Sequence, residues 1–311
     1  MSRYDPPVPS VRGLTATVPR EFVHRASVAE VFLTGWHERG SDRFTVFAQW
    51  PRGHSFYSPI AKHYDPMLAA ETIRQVGALL AHAAFDVPMG HQFLMWELSY
   101  DVVPALLRIG SAPMDLEIDV RCVEIKRRGG RLTGLRYEAV LRSEGEIVAE
   151  GGARYTVTTP EAYRRLRASR NADVVVPDTS NRRLSPLFVG RADQNDVVLA
   201  RTGTPGQWLL HIDLSHPVLF DHFVDHVPGM MLLEAARQAA LTVGSPEARL
   251  LPQGVAGTFH RYAELDSPCW IHVNSVTPTV QGQRARITGH QGGNAVFTAT
   301  VDLFTVPAGA G

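Results

Sequence analysis

His63-Tyr64-Asp65-Pro66-Met67-Leu68-Ala69-Ala70-Glu71-Thr72-Ile73-Arg74-Gln75 and His226-Val227-Pro228-Gly229-Met230-Met231-Leu232-Leu233-Glu234-Ala235-Ala236-Arg237-Gln238 are two copies of one phrase. His63 and His226, Met67 and Met230, Glu71 and Glu234, Arg74 and Arg237, and Gln75 and Gln238 are all 163 residues apart. Upstream, Phe22-Val23-His24-Arg25 echoes Phe188-Val189-Gly190-Arg191 at an offset of 166, and Phe44 echoes Trp208 at 164. Self-similarity of this kind marks an internal duplication, here of a unit of about 150 residues, a comfortable domain size. Between the copies, Thr159 as N-cap, Pro160 at the first helical position and Glu161 in the first turn predict a short helix, followed by an irregular stretch. The chain therefore divides into a first unit at 14–159, a linker at 160–186 and a second unit at 187–306.

Each unit repeats one order of elements. Period-2 segments at 42–50 and 207–213 come first, then a helix at 66–84 or 229–243 that is apolar nearly all round and so predicted to be buried. Long alternating strands follow at 115–125, 132–141 and 147–157, with Gly129-Gly130 and Glu144-Gly145 in the turns between them. The second copy places its strands at 270–280, 285–289 and 295–306. The expected fold class is α+β: a tandem (double) hotdog fold, each unit an antiparallel sheet wrapped around one buried helix.

Composition narrows the function. The chain has 311 residues, 31 Lys+Arg against 31 Asp+Glu, and 44% hydrophobic residues, which describes a globular protein not built to grip nucleic-acid backbones. Its cations are 29 Arg with only Lys62 and Lys126, so lysine chemistry has few candidates. Two cysteines, Cys122 and Cys269, cannot form a disulfide framework or a zinc site. The first residues lack the apolar run of a signal peptide and no stretch approaches transmembrane length, so a cytoplasmic setting with no membrane partner is expected.

The opening of the second helix carries the chemistry. His222-Phe223, four residues, Pro228-Gly229, four apolar residues, Glu234-Ala235 and Gln238 resemble the signature of hotdog 3-hydroxyacyl-carrier-protein dehydratases, with a shorter spacing from the histidine. Pro-Gly leaves free N–H groups at the helix N-terminus, where they and the helix dipole can polarise a thioester carbonyl. Arg237 stands where that signature has a small residue, and it recurs as Arg74, so each copy pairs Glu and Arg at i and i+3 on one helix face. His222 and His226 are four apart, with His216, Asp221 and Asp225 nearby, but there is no Glu after the first histidine and Pro228 follows, so no metal is expected.

With both copies in view, the chain resembles the A-factor (γ-butyrolactone autoregulator) synthase family of actinobacteria over about 22–306. The resemblance implies transfer of a β-ketoacyl group from acyl carrier protein, or CoA, to the hydroxyl of dihydroxyacetone phosphate, leading to a butenolide, γ-butyrolactone or furan signal. Such a reaction needs a general base, an oxyanion stabiliser and a phosphate anchor, and no cofactor. Glu234 is the candidate base, the N–H groups near Gly229 the oxyanion donors and Arg237 the anchor, with Glu71 and Arg74 as a second set. His222, His226, His63 and Gln238 are further candidates for lining the substrate site. Copy one lacks Pro-Gly, so the second helix is expected to be the main catalytic element. Intramolecular pairing of the two units makes a monomer workable, and a homodimer is the other option. The competing readings are a hotdog dehydratase or thioesterase, and a non-catalytic acyl- or lactone-binding protein.

Overall fold

The computed structural model describes residues 16–168, 175–243 and 250–305. In the first half, β1 (Leu33–Gly40) and β2 (Arg43–Trp50) precede α1 (Met67–Ala83), and β3 (Gln92–Val102), β4 (Met114–Arg128), β5 (Arg131–Ser143) and β6 (Glu146–Thr158) follow. Helix α2 (Pro160–Arg167) and the single turn α3 (Pro186–Val189) lead into β7 (Leu199–Arg201), β8 (Gln207–Leu210), α4 (Gly229–Thr242), β9 (Leu250–Phe259), β10 (Trp270–Thr279), β11 (Gly282–Gln291) and β12 (Asn294–Thr305). Thr159 caps α2 by accepting the Ala162 N–H at 3.3 Å.

The strands join into one antiparallel sheet ordered β1-β2-β4-β5-β6-β3-β9-β12-β11-β10-β8-β7. Counted outward from the centre, both halves have the same order. They meet where β3 pairs with β9, from Glu97 opposite Thr258 to Asp101 opposite Gly254. Joining two edges satisfies two rows of backbone groups that would otherwise invite other chains. The alternation that predicts β4 is visible in its burial: Leu116, Ile118, Val120 and Cys122 face the core while Asp115, Glu117, Asp119 and Arg121 face solvent.

Both long helices are buried on every side. Leu68, Ile73, Val76, Leu79 and Leu80 of α1 are almost fully covered, and in α4 every residue from Met230 to Ala240 is buried. Each such aliphatic side chain contributes about 1.5–3 kcal/mol by leaving water. Inward-facing aromatic residues satisfy their polar tips on α1: Tyr137 OH donates to Ile73 O (2.5 Å), Tyr155 OH to Gly77 O (2.8 Å) and Trp50 Nε1 to Thr72 Oγ1 (2.9 Å).

Four strands lie outside the sequence expectations: the outer β1 and β7, and the central β3 and β9. β3 and β9 pack between the halves, and Phe93, Leu94, Met95 and Trp96 are half-buried in succession, so β3 shows no clean alternation. The expected strand at 295–306 ends at Thr305 within the described residues, and residue 306 lies outside them.

Gly77 in the middle of α1 has a packing reason, because a Cβ there would sit 2.6 Å from the Tyr137 hydroxyl. On an open helix Gly→Ala would stabilise by about 1 kcal/mol. Here Gly77→Ala is expected to reverse that sign and destabilise by about 1–3 kcal/mol through overpacking, measured as a lower urea midpoint at unchanged m-value.

Candidate functional site

The duplicated phrase builds a duplicated ionic cluster. In copy one, Glu71 accepts from Arg25 Nε (3.0 Å), Arg74 Nε (2.9 Å), Arg74 Nη2 (2.7 Å) and Gln75 Nε2 (2.7 Å). In copy two, Glu234 accepts from Arg191 Nε (2.8 Å) and Nη2 (2.5 Å), Arg237 Nε (2.8 Å) and Nη2 (2.7 Å), and Gln238 Nε2 (2.6 Å). Gln75 and Gln238 then fasten the chain ahead of their sheets: Gln75 Nε2 donates to Glu30 O while Phe32 N donates back, and Gln238 does the same with Asp196 O and Val198 N. Burial alone would raise both carboxyl pKa values. The Arg25 and Arg74 charges in one copy, and Arg191 and Arg237 in the other, overcome it and pull each down to about 2. Both glutamates are therefore ionised, hydrogen-bonded carboxylates.

The clusters also lock the halves together. Arg25 Nη1 donates to Val218 O of the second half (2.9 Å), and Arg191 Nη1 donates to Phe56 O of the first (2.6 Å). Matching histidines shape the two loops that present these carbonyls. His54 Nδ1 accepts from Phe56 N and Tyr57 N, and His216 Nδ1 accepts from Val218 N and Leu219 N.

The copies part ways at the helix N-termini. At α1, Asp65 Oδ1 accepts the Met67 N–H (2.9 Å) and its Oδ2 accepts from Arg191 Nη1 (2.8 Å). The counterpart of Asp65 in α4 is Pro228, which has no side-chain acceptor to offer. Its carbonyl takes the Met231 and Leu232 N–H groups, and the N–H groups of Gly229 and Met230 find no acceptor among the described residues.

A cavity of about 260 Å³ opens at that uncapped end. Gly229 and Met230 of α4, Arg25 and Arg74 of the first cluster, and His24, His222 and His226 line its polar part, while Ala78, Phe93, Met95, Leu232 and Phe259 line its apolar part. Arg74 spends Nε and Nη2 on Glu71 and Val23 O, and its Nη1 has no protein partner among the described residues. The cavity thus joins a free guanidinium N–H from one copy to a free helix N-terminus from the other.

Two histidines on its wall each stand on the preceding aspartate. His222 Nδ1 donates to Asp221 Oδ1 (2.5 Å), and His226 Nδ1 donates to Asp225 Oδ1 (2.8 Å). Burial would raise the Asp221 pKa, but the His222 hydrogen bond and the Arg25 charge bring it down to about 2. Asp225 is held well below the usual carboxylate range by His226, Tyr163 and Arg167 against the same burial. A carboxylate that accepts from Nδ1 leaves Nε2 of the neutral ring as the basic nitrogen. His24 is fixed differently. His82 Nδ1 donates to Val87 O, so its Nε2 is an acceptor, and His24 Nε2 donates to it at 2.7 Å. Burial first, then the Arg74 charge, lower the His24 pKa to about 3 and keep the ring neutral.

The structure thus sorts the sequence candidates. Gly229, Arg74, His222 and His226 come together on the cavity. Glu71 sits behind Arg74, saturated by its donors. Glu234, Arg237 and Gln238 do not reach the cavity, because their side chains close on one another and on Arg191 with no exposed surface. Of the residues expected on the second helix, Gly229 at its N-terminus lines the cavity, while the arginines on its wall are Arg25 and Arg74 of the first copy and Arg261 of the second. His63 is also off the cavity. It closes the Ile60–His63 turn, with Ala61 and Lys62 at φ 49° and 64°, and its Nδ1 donates to Ala61 O. Sequence reasoning missed His24, Arg25 and the roles of Asp221 and Asp225. The Phe-Val-x-Arg echo and the twice-repeated Asp-His step were the available signals. No group of three or more His, Cys, Asp or Glu among the described residues is placed to hold a metal ion.

A buried helix cradled by an antiparallel sheet, twice in one chain and with a composite cavity between the copies, defines a tandem hotdog protein. The chain belongs to the A-factor biosynthesis hotdog domain family, whose sequence profile matches residues 8–159 and 173–307. It is 51% identical over 289 residues to the 2-oxo-3-(phosphooxy)propyl 3-oxoalkanoate synthase of Streptomyces virginiae, covering 93% of this chain and 98% of that one. It is 40% identical to the protein of the same name from Streptomyces griseus, covering 90% and 93%. Among solved structures, an oleoyl thioesterase from Lactobacillus plantarum shares the fold at a TM-score of 0.50 and 14% identity, covering 85% of this chain and 97% of that one.

The electrostatics give the pH dependence of stability its sign. Glu71 and Glu234 have folded pKa values of about 2 against an ordinary 4.5, so their contribution is complete above about 4.5 and lost as pH falls through about 2. His24, neutral when folded with a pKa of about 3 against an ordinary 6.5, acts in the same direction and starts to be lost below about 6.5. Urea midpoints should therefore fall steadily on acidification from 6.5. Glu234→Gln at neutral pH should cost about 3–5 kcal/mol, because Arg191 and Arg237 are left buried without a counter-charge.

Proposed function

We propose that this chain transfers a 3-oxoacyl (β-ketoacyl) group from a thioester of acyl carrier protein, or of CoA, to the primary hydroxyl of dihydroxyacetone phosphate. The observation that carries the reading is the composite cavity itself, in which a free guanidinium N–H, two uncapped helix N–H groups and an aspartate-oriented histidine face one space. The names of the Streptomyces relatives support the same product, 2-oxo-3-(phosphooxy)propyl 3-oxoalkanoate. That phosphorylated keto ester has the activated methylene and ketone from which butenolide, γ-butyrolactone or furan signals are made.

Each group has a task. Arg74 Nη1, with Arg25 behind it and exposed Arg261 at the rim, anchors the acceptor phosphate. The apolar wall from Ala78 to Phe259 takes the acyl chain. The Gly229 and Met230 N–H groups receive the thioester carbonyl oxygen and stabilise the oxyanion that forms on attack. His222 Nε2 takes the hydroxyl proton, with buried Asp221 orienting the ring and balancing its charge. The ester C–O bond forms, the C–S bond breaks, and the proton passes to the departing thiolate. No metal or organic cofactor takes part in any of these steps.

Exposed Arg164 lies on α2, whose Arg167 grips Asp225, and with Arg261 it gives an acidic carrier protein basic charge to meet. No helix among the described residues is long and apolar enough to cross a membrane. Carrier-bound acyl thioesters and dihydroxyacetone phosphate are both cytoplasmic metabolites, so the reaction belongs in the cytoplasm. The internal sheet pairing leaves the monomer a complete catalytic unit.

Mass spectrometry of products from a 3-oxoacyl thioester and dihydroxyacetone phosphate tests the reading. The phosphorylated keto ester is expected, and free 3-oxo acid alone would make the protein a thioesterase instead. His222→Ala should lower kcat by about 10²–10⁴-fold. Arg74→Ala should mainly raise KM for dihydroxyacetone phosphate, with Arg74→Lys a partial rescue, because a point charge does not reproduce the planar fork.

A further inference from the structure

The two clusters are near-identical in their bonding, yet only one meets a cavity, and the differences between them can be read residue by residue. One turn beyond Arg74 and Arg237, at the same helix position, copy one has Ala78 and copy two has Leu241. In the segments that precede the sheets, both copies place a left-handed residue before the cluster arginine: His24 (φ 53°) in copy one and Gly190 (φ 65°) in copy two. A Cβ on Gly190 would meet Leu241 Cδ1 at 2.9 Å and Arg237 Nη1 at 3.5 Å. Leucine at this helix position and a side chain at this loop position therefore compete for one volume. Copy two keeps the leucine, and copy one keeps the side chain, a histidine in a conformation that costs a non-glycine residue about 1–2 kcal/mol.

The consequence falls on one nitrogen. Arg74 lines the cavity with an Nη1 that has no protein partner among the described residues, whereas Arg237 Nη1 is buried with no hydrogen-bond partner. An orphaned buried donor costs about 1–3 kcal/mol, so the second copy retains the anchoring group in a place where no ligand reaches it. The other half of the duplicated site is closed too. The Met67 N–H, the counterpart of the free Met230 N–H, is occupied by Asp65, whose second oxygen takes Arg191. The protein's own carboxylate stands where the open site leaves room for a substrate.

We propose that the chain carries one working site, the cavity over Arg74, that Leu241 and Asp65 keep its duplicate shut, and that Ala78 determines which acyl chains enter. The chain-length part rests on the acyl-transfer reading above. Ala78 lines the cavity four residues beyond Arg74, and Phe93, Leu232 and Phe259 line it too. Added bulk there narrows the space between the Arg74 guanidinium and the apolar wall, through which the acyl chain enters.

Calorimetric titration with a 3-oxoacyl-pantetheine amide, which binds without transferring, counts the sites. One ligand per chain is expected, and two would overturn the proposal. Steady-state kinetics with short- and long-chain 3-oxoacyl-pantetheine thioesters test Ala78. Ala78→Val should shift the kcat/KM ratio toward the short chain by about tenfold. An unchanged chain-length ratio would overturn the assignment. The double variant Ala78→Leu/His24→Gly copies the pairing that copy two already tolerates. It should melt cooperatively and lose amide binding, and normal binding by it would also overturn the proposal. Should the double variant not fold, the Ala78→Val ratio decides. Should wild type form no keto ester from any thioester, the reaction reading fails, while the amide stoichiometry still decides the number of sites.

Discussion

An ionised glutamate clamped between two arginines and a glutamine, twice in one chain, is the constraint from which the rest of this protein follows. Each carboxylate gathers an arginine from its own helix and one from the segment ahead of its sheet, Arg25 to Glu71 and Arg191 to Glu234. The latter arginine then reaches across to a carbonyl of the other half. One cluster therefore fixes helix to loop and half to half. Replacing such a cluster by well-packed apolar residues is often neutral for stability, while removing one member is severe. Its worth lies in the single arrangement it permits: guanidinium groups, glutamine and carboxylate satisfy one another in one geometry only.

That rigidity gives the site its precision. The groups on the cavity wall do not come from one helix or one copy. Arg74 is aimed by Glu71, Asp221 is held by Ala26 N and faces Arg25, and the α4 N-terminus is brought beside them by the pairing of β3 with β9. Asp221, which orients His222, therefore sits in the second half's loop and is gripped by the first half's backbone. A shift between the halves would move His222, Arg74 and the Gly229 and Met230 N–H groups relative to one another. The continuous sheet opposes that shift.

Duplication supplies two equivalent arrangements, and small differences make them unequal. Proline in place of Asp65 leaves a helix end uncapped, and alanine in place of Leu241 leaves volume beside a guanidinium. Neither change disturbs the clusters beneath. The second copy's cluster keeps every bond and is buried, holding the position of the helix whose N-terminus lines the cavity.

The sequence by itself determined the duplication, the two buried helices, the long alternating strands of each half, and the pairing of Glu with Arg on one helix face. These depend on local periodicity and on residues three or four apart. It also singled out Gly229, Arg74, His222 and His226 through their motif, and the fold brings these four to one cavity. The echo of Arg25 and Arg191 was visible as a repeat, but not as a partner of the glutamates, because 46 and 43 residues of chain separate them and only packing brings them together. Strands β3 and β9 were hidden because residues at the junction of the two halves are partly covered on both faces and lose the period-2 signal. Tertiary structure alone decided which of the two clusters borders a cavity. Glu234 and Arg237 read from the sequence as well as Glu71 and Arg74 do, and better beside Pro-Gly, but access depends on volume and on which half lies opposite. A helix end in one copy faces the cluster of the other, so the motif that is continuous in sequence is divided between two sites in space.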